Sequence, residues 1–203
     1  DNSYFRAFRM SEFGIQPQDT YNITSVDVGV EEASSNNADF NIAEAAADSS
    51  IGLFGRSGSG GLNRGDGVNG QPATIRLWAV NGSPFPTGWP GTGTLLATQN
   101  IIVPDSASGT VINVPLTTSI PPGTLELVME VFTPDGNTAG NVFFIGSNSA
   151  GQTGPSYLQA AECKIDSPVP TALVGFPNMH VVMNVNGYGF CSPPATPTPT
   201  PTP

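Results

Sequence analysis

The chain has 203 residues, with sixteen Asp and Glu against six Lys and Arg, and a formal net charge of −10 at pH 7. This acidic balance excludes nucleic acid and anionic membrane surfaces as partners, because both need a basic face that replaces their counterions. The small share of charged residues, 11%, and the abundant Gly and Pro are typical of a secreted β protein with many turns rather than of a cytoplasmic enzyme.

Short runs of alternating apolar and polar residues, separated by Gly, Pro, Asn and Asp, predict about eight β-strands. The runs are SYFRAFRM (3–10), YNITSVDVGV (21–30), TIRLWAV (74–80), LLATQNIIV (95–103), TVINVPL (110–116), TLELVMEVF (124–132), NVFFIG (141–146) and HVVMNV (180–185). Pro115 indicates an edge strand or a bulge, because proline cannot donate to a ladder. We predict an all-β fold, an antiparallel β-sandwich or jelly roll, in one domain over residues 1–191.

Residues 34–70 interrupt this series and are predicted to form a long loop insertion. Its stretch DFNIAEAAAD (39–48) is the one helical pattern, with Asp39 as the N-cap, and is too short to be stable without packing. Loops of this length are commonly functional or used in contacts. A surface insertion that costs little closure entropy is an equal alternative.

No strong catalytic motif occurs in the sequence. His180 is the only histidine and no G-x-S-x-G elbow accompanies it, so we expect a structural, hydrogen-bonded histidine within a strand. Glu126 and Glu130 share a strand face with backbones about 13 Å apart, whereas the carboxyl groups of glycosidases are roughly 5 to 9.5 Å apart. We therefore expect a protein that is not an enzyme and has no cofactor.

Calcium is the one metal that the sequence leaves open. Asp66 and Asn69, and then Asp135 and Asn137, offer oxygen ligands in turns, which a hard cation requires. Asp-Gly and Asn-Gly are also ordinary β-turn sequences, and the turn interpretation is favoured.

Cys163 and Cys191 are the only cysteines, and their even number in an exported chain predicts a disulfide. Two buried free thiols are the alternative. The sequence begins at Asp1 rather than Met, and we expect that a signal peptide has been removed.

Three aromatic residues are candidates for contact with a ligand or a subunit. Trp89 is flanked by Pro and Gly and is expected to be exposed, Trp78 lies on the polar face of its strand, and Tyr157 follows a Gly-rich stretch. Exposed rings stack on sugars, and the alternative is that these rings pack under loops or against a neighbouring subunit.

Residues 192–203, SPPATPTPTPTP, predict an extended polyproline II tail or linker, in which residues 193–203 span about 34 Å at about 3.1 Å per residue. Thr beside Pro on an exported chain is also the composition of O-glycosylated stalks. The glycosylation candidates are Thr196, Thr198, Thr200 and Thr202 in the tail, and Asn22 and Asn81 in N-x-Ser/Thr sequons.

Six segments in order carry a resemblance to a known kind of module. They are FRAFRMSEFGI, ITSVDVGVE, NVPL, PDGN, FFIGSNSAGQTGPSYLQAAEC and GFPNMHVVMNVNG. This order resembles an accessory β-sandwich module of secreted multidomain bacterial proteins, of the kind joined through Thr-Pro linkers. The resemblance covers most of residues 3–187 apart from the 34–70 insertion, and it implies an extracellular setting and a sandwich fold without an active site.

These observations predict a non-catalytic extracellular structural protein, a self-assembling subunit of a filament or matrix on the cell surface. Its tail bridges subunits or carries sugar, and its partners are copies of itself and glycans. No membrane insertion is expected, because no apolar run reaches the length of a membrane span. The alternative is a carbohydrate-binding or targeting module of a secreted enzyme, in which the tail is a linker and Trp89 contacts the sugar.

Overall fold

A computed structural model describes residues 1–35, 70–136, 140–151 and 154–190, apart from the side chain of Phe190. The helix predicted at 39–48, nearly all of the 34–70 insertion and the whole tail at 192–203 lie outside the described residues. None of the helical turns in the described part is long and apolar enough to cross a membrane.

Twelve strands, joined by turns and short 3₁₀ helices, make up the secondary structure of these residues. In chain order they are β1 (Asn2–Arg9), β2 (Thr20–Ser34), β3 (Gln71–Val80), β4 (Gly93–Val103), β5 (Thr110–Ile120), β6 (Glu126–Thr133), β7 (Val142–Ile145), β8 (Ser147–Asn148), β9 (Ser156–Ala160), β10 (Ile165–Pro170), β11 (His180–Val181) and β12 (Met183–Phe190).

The predicted antiparallel all-β fold is confirmed, and each of the eight predicted runs overlaps a strand. The predicted number of strands is too low. β9 (SYLQA) and β10 (IDSPVP) do not alternate strictly between apolar and polar residues, β8 is only two residues long, and the run HVVMNV is divided into β11 and β12.

The strands form two main sheets that pack face to face. The larger sheet has the order β10-β9-β1-β6-β3-β4, and the smaller has the order β12-β2-β5 with β7 paired to the far end of β2. β8 and β11 form a separate two-stranded ladder. Every pair is antiparallel.

The main core lies between the two sheets and contains the inward residues that the alternation predicts. Val26, Val28 and Val30 of β2 are buried there, and they pack with buried residues of the opposite sheet, Ile75, Leu77, Ala73, Leu127, Met129 and Val131. Pro115 lies on β5, which is an edge strand, and pairs with Ser25 beside a register shift. The edge position and the irregularity predicted from this proline are therefore both present.

The backbone makes a tight crossing at Gly29, Gly146 and Val182. This crossing explains why the strands predicted at 141–146 and 180–185 are interrupted. The Gly29 N–H donates to the Val182 carbonyl (2.8 Å), the Val182 N–H donates to Gly146 (2.9 Å), and the Gly146 N–H donates to Gly29 (2.7 Å). A Cβ at Gly146 would lie 2.6 Å from the Gly29 carbonyl carbon. Glycine is required here because the two backbones leave no room for a side chain.

Candidate functional site

The three aromatic residues selected from the sequence meet on the outer face of the larger sheet. The Trp78 and Trp89 ring centroids are 5.0 Å apart, Trp89 is 5.0 Å from Phe85, and Phe85 is 4.9 Å from Tyr157. All three pairs are edge to face, the arrangement that the ring quadrupole favours. We call Phe5, Trp78, Phe85, Trp89 and Tyr157 the aromatic cluster.

Four elements hold the aromatic cluster together. β1 supplies Phe5, whose ring is 5.5 Å from Phe85 and 5.7 Å from Trp89. β3 supplies Trp78, β9 supplies Tyr157, and residues 81–92 between β3 and β4 supply Phe85 and Trp89. Val128 of β6 and Val80 of β3 lie fully buried beneath the rings. The loop thus covers a second, smaller core on the outside of the sheet.

Glu130 is buried beside this cluster, with 6% of its surface exposed. Its Oε1 accepts hydrogen bonds from Ser3 Oγ (2.9 Å) and an Arg76 guanidinium nitrogen (2.8 Å), and its Oε2 accepts one from Trp78 Nε1 (3.1 Å). Charge-assisted hydrogen bonds of this kind are about twice as strong as neutral ones. Glu130 therefore fixes the orientation of Trp78 and joins β1, β6 and β3.

Glu126 anchors the covering loop at the other end of the same strand face. Its Oε2 accepts a buried hydrogen bond from the Phe85 backbone N–H (2.7 Å), and its Oε1 lies 3.6 Å from Arg9 Nε. Burial raises the pKa of the Tyr157 phenol, the charge of Glu126 raises it further, and Arg9 opposes the shift. The two carboxylates are thus engaged with the strands and the loop that form the cluster.

Trp89 needs a correction, because it is half-buried rather than exposed. It packs on three rings of the cluster, which the Pro and Gly residues around it do not reveal. Tyr157, which follows the Gly-rich stretch, is buried in β9. Phe5 and Phe85 were not identified from the sequence. Residues 3–6 of β1 are all buried, which shows that both faces of this strand are covered.

His180 lies in β11, within a strand as predicted. Its Nδ1 is buried and has no partner among the residues that the structure describes. Asn148 pairs with His180 across the ladder, but the Asn148 Oδ1 accepts the Ala150 N–H instead (2.9 Å).

Only some of the residues predicted to form a disulfide or to carry sugar lie within the described part of the chain. Cys163 is exposed and unpaired within the described ranges, while Cys191 lies outside them, so the pairing stays a prediction. Asn22 is half-buried in β2, where its Oδ1 accepts from Ser119 Oγ (2.6 Å), and Asn81 is exposed after β3. The tail candidates Thr196, Thr198, Thr200 and Thr202 lie outside the described residues.

Of the calcium candidates, Asp66, Asn69 and Asn137 lie outside the described residues. The Asp135 N–H donates to Asp1 Oδ1 (2.7 Å). Within the part of the chain that the structure covers, no three or more His, Cys, Asp or Glu side chains are grouped so as to hold a metal ion.

A second candidate surface consists of β4 and β5, which are edge strands of the two sheets and contact one another along one side of the sandwich. Each strand has eleven residues and neither contains a charged side chain. Leu95, Ile102 and Val111 are 48%, 47% and 58% exposed along them. The Thr118 hydroxyl links the edges by donating to the Leu96 carbonyl (3.4 Å). We call this surface the double edge.

Comparisons of the chain with protein-family models, with curated proteins and with solved structures give no match. The function is therefore argued from the aromatic cluster and the double edge themselves.

Proposed function

We propose that the protein is a non-catalytic, self-associating structural subunit of an extracellular filament or matrix, and that subunits meet through the double edge. One observation carries this proposal: two adjacent edge strands of eleven residues each are free of charge in a chain whose net charge is −10.

Edge strands present unpaired N–H and C=O groups that pair readily with another chain. Monomeric proteins usually protect such edges with charged residues, prolines or short strands. β10, at the opposite edge of the larger sheet, has this protection, since it is six residues long and contains Asp166, Pro168 and Pro170. β4 has none of the three devices, and β5 has only Pro115.

The distribution of charge favours the double edge as the place of contact. Two copies that each carry −10 repel one another at low ionic strength. Approach is least unfavourable where neither copy presents a charge, and strand addition then supplies main-chain hydrogen bonds. The exposed Leu95, Ile102 and Val111 add apolar area that would be removed from water.

The extracellular setting, the bacterial source and the glycosylated tail belong to the same proposal. Their support is the low share of charged residues, the resemblance to accessory modules, and the Thr-Pro tail with its four candidate Thr residues. Cys163 is exposed, so a disulfide with Cys191 would need no rearrangement of a buried thiol.

The experiment is a comparison of assembly by the full chain and by the double variant Leu95→Lys/Ile102→Lys. We expect filaments or large oligomers of the native chain in electron microscopy and sedimentation velocity. The variant should associate at least about tenfold more weakly, because like charges then meet across the edge.

Leu173→Lys is the matched control, since Leu173 is 78% exposed in the turn Thr171–Val174, away from β4 and β5. A monomeric native chain, or a double variant that assembles like the control, would refute the proposal.

Glycan binding at the aromatic cluster is the second candidate function. It is supported by the convergence of Trp78, Trp89 and Tyr157 beside polar side chains of the outer sheet face. A polysaccharide pull-down that is lost with Trp89→Ala, from a native chain that remains monomeric, would favour this function over assembly.

A further inference from the structure

We propose that the Thr-Pro tail of one subunit docks in an apolar groove at the open end of the sandwich of the next subunit. This inference rests on the proposed function, because it supplies a second contact between copies of the same chain. It also assigns an occupant to a groove that the described residues leave uncovered.

The groove has a volume of about 340 Å³ and lies between the two sheets, where β1 leaves the larger sheet. Phe8 and Phe13 line one side with ring centroids 6.2 Å apart, and Tyr21 lines another. Leu127 and Met10 are buried at its base. None of the described residues that line it is charged, which suits it to an uncharged, apolar segment.

The local backbone keeps Phe13 at the rim of the groove. Residues Met10–Phe13 form a 3₁₀ turn that is tied to the sheet by the Met10 N–H bond to the Leu125 carbonyl (3.0 Å). Gly14 ends the turn with φ 74°, a left-handed conformation that glycine adopts without strain. The Phe13 side chain is consequently 53% exposed, although it is aromatic and lies beside an apolar cavity.

The tail has the chemistry that such a groove accepts. A polyproline II segment makes no internal hydrogen bonds and presents proline rings, and aromatic-lined grooves are its usual receptors. SPPATPTPTPTP carries no charged side chain, so docking would bury no charge. Asn184 at the groove has an exposed side-chain amide that can donate to the carbonyls of the docked segment.

β12 passes along the groove and ends beside it. β12 runs from Asn184 and Val185, which line the groove, to Phe190, which pairs with Thr20. Gly189, just before Phe190, pairs with Tyr21, which also lines the groove, so the described end of β12 lies beside the groove. The groove of a neighbouring copy is proposed as the receptor because a contact between unlike surfaces of successive copies builds an open filament.

The first experiment compares a groove variant, Phe13→Ser, with a tail variant, Pro197→Gly/Pro199→Gly/Pro201→Gly, both in the full chain. We expect each to weaken assembly roughly tenfold, because a central aromatic anchor or a preformed extended segment is lost. Phe176→Ser is the matched control, since Phe176 is also 53% exposed but lies outside the groove. Groove and tail variants that assemble like Phe176→Ser would overturn the inference.

Mixing the two variants separates docking on a neighbour from docking on the same chain. The tail variant retains an intact groove and the groove variant retains an intact tail, so each mixed pair can form one contact. We expect the mixture to form one-to-one pairs that neither variant forms alone. If mixing restores nothing although each variant is defective, the tail docks on its own chain, and the inference of a neighbouring groove is wrong.

A binding measurement keeps this inference distinguishable from the double edge. The synthetic peptide SPPATPTPTPTP is titrated into the Leu95→Lys/Ile102→Lys variant, with binding followed by Tyr fluorescence or calorimetry. We expect saturable binding that Phe13→Ser abolishes. Absence of peptide binding would refute the groove while leaving the double edge untouched. Peptide binding combined with a native chain that does not assemble would refute the double edge alone.

Discussion

Glu130 is the side chain on which the outer core depends most directly. Replacement by Ala removes the acceptor for Ser3, Arg76 and Trp78 at once. We expect the free energy of unfolding to fall by about 3 kcal/mol, the low end for a broken buried ion pair because the Arg76 side chain is 29% exposed. Urea denaturation measures the loss.

Glu130→Gln keeps the shape of the side chain and should lower the free energy of unfolding by less. Glu31→Ala, at an exposed position of β2, is the control. Equal losses for Glu130→Ala and Glu31→Ala would contradict this role.

Tyr157 makes the stability depend on pH in the alkaline range. Its pKa is raised in the folded state, mainly by burial and further by Glu126. The favourable contribution of this phenol to stability is therefore fully present below about pH 10, the ordinary pKa of tyrosine, and is lost as the pH rises through the folded-state pKa.

We expect the unfolding free energy of the native chain to decline above that pH, and the unfolding free energy of Tyr157→Phe to decline less. Tyr4, whose pKa burial also raises, should flatten the profile further when replaced by Phe in the double variant. An unchanged slope in Tyr157→Phe would show that this phenol is not responsible.

Sequence analysis selected Trp78, Trp89 and Tyr157 individually, and the structure brings them into one cluster. The sequence does not reveal Phe5 and Phe85 as their neighbours, because Phe5 lies on β1 and Phe85 in the loop at 81–92, which are distant in the chain. The role of Glu126 and Glu130 was equally hidden. A glutamate that alternates with apolar residues predicts a solvated strand face, whereas the loop at 81–92 buries that face.

At the scale of elements, the backbone crossing between β2, β7 and β12 allows a sharp test. Gly146→Ala would place a Cβ 2.6 Å from the Gly29 carbonyl carbon and 2.8 Å from the Val30 nitrogen. Backbone atoms cannot move aside as a side chain can, so we expect about 3 kcal/mol of destabilisation, the upper range for overpacking. Thermal and urea unfolding measure this destabilisation.

Gly151→Ala is the matched control, because an added Cβ there meets no described atom within 4 Å. A Gly146→Ala protein as stable as Gly151→Ala would show that the crossing relaxes easily.

The elements also show where pattern recognition succeeds and fails. β3 and residues 26–30 of β2 bury one face of alternating residues, and their inward residues are those that the pattern predicts. β6 is buried on both faces because it lies in the middle of the larger sheet with the main core on one side and the aromatic cluster on the other. β9 and β10 were not predicted, because their residues do not alternate with a period of two. They are strands because they pair with neighbouring strands.

At the scale of the whole molecule, charge and strand edges are distributed unevenly. The double edge carries no charge although the chain has twenty-two charged residues, sixteen acidic and six basic. Salt screens the repulsion between acidic copies without affecting backbone pairing, so we expect the proposed association at the double edge to strengthen as the ionic strength rises. The groove at the end of the sandwich adjoins the double edge at Ile120, and its other lining residues lie outside β4 and β5.

The sequence by itself determined the all-β class, the antiparallel strands, the inward faces of β2 and β3, and that Pro115 lies on an edge strand or at a bulge. These properties follow from the period of two along a strand and from the restrictions on proline, which are local. Only the tertiary structure decided that the larger sheet has a second core on its outside, that β4 and β5 lie side by side as open edges, and that Phe13 borders a groove. The physical reason is that sheet order and loop placement depend on packing between distant segments, which no local periodicity records.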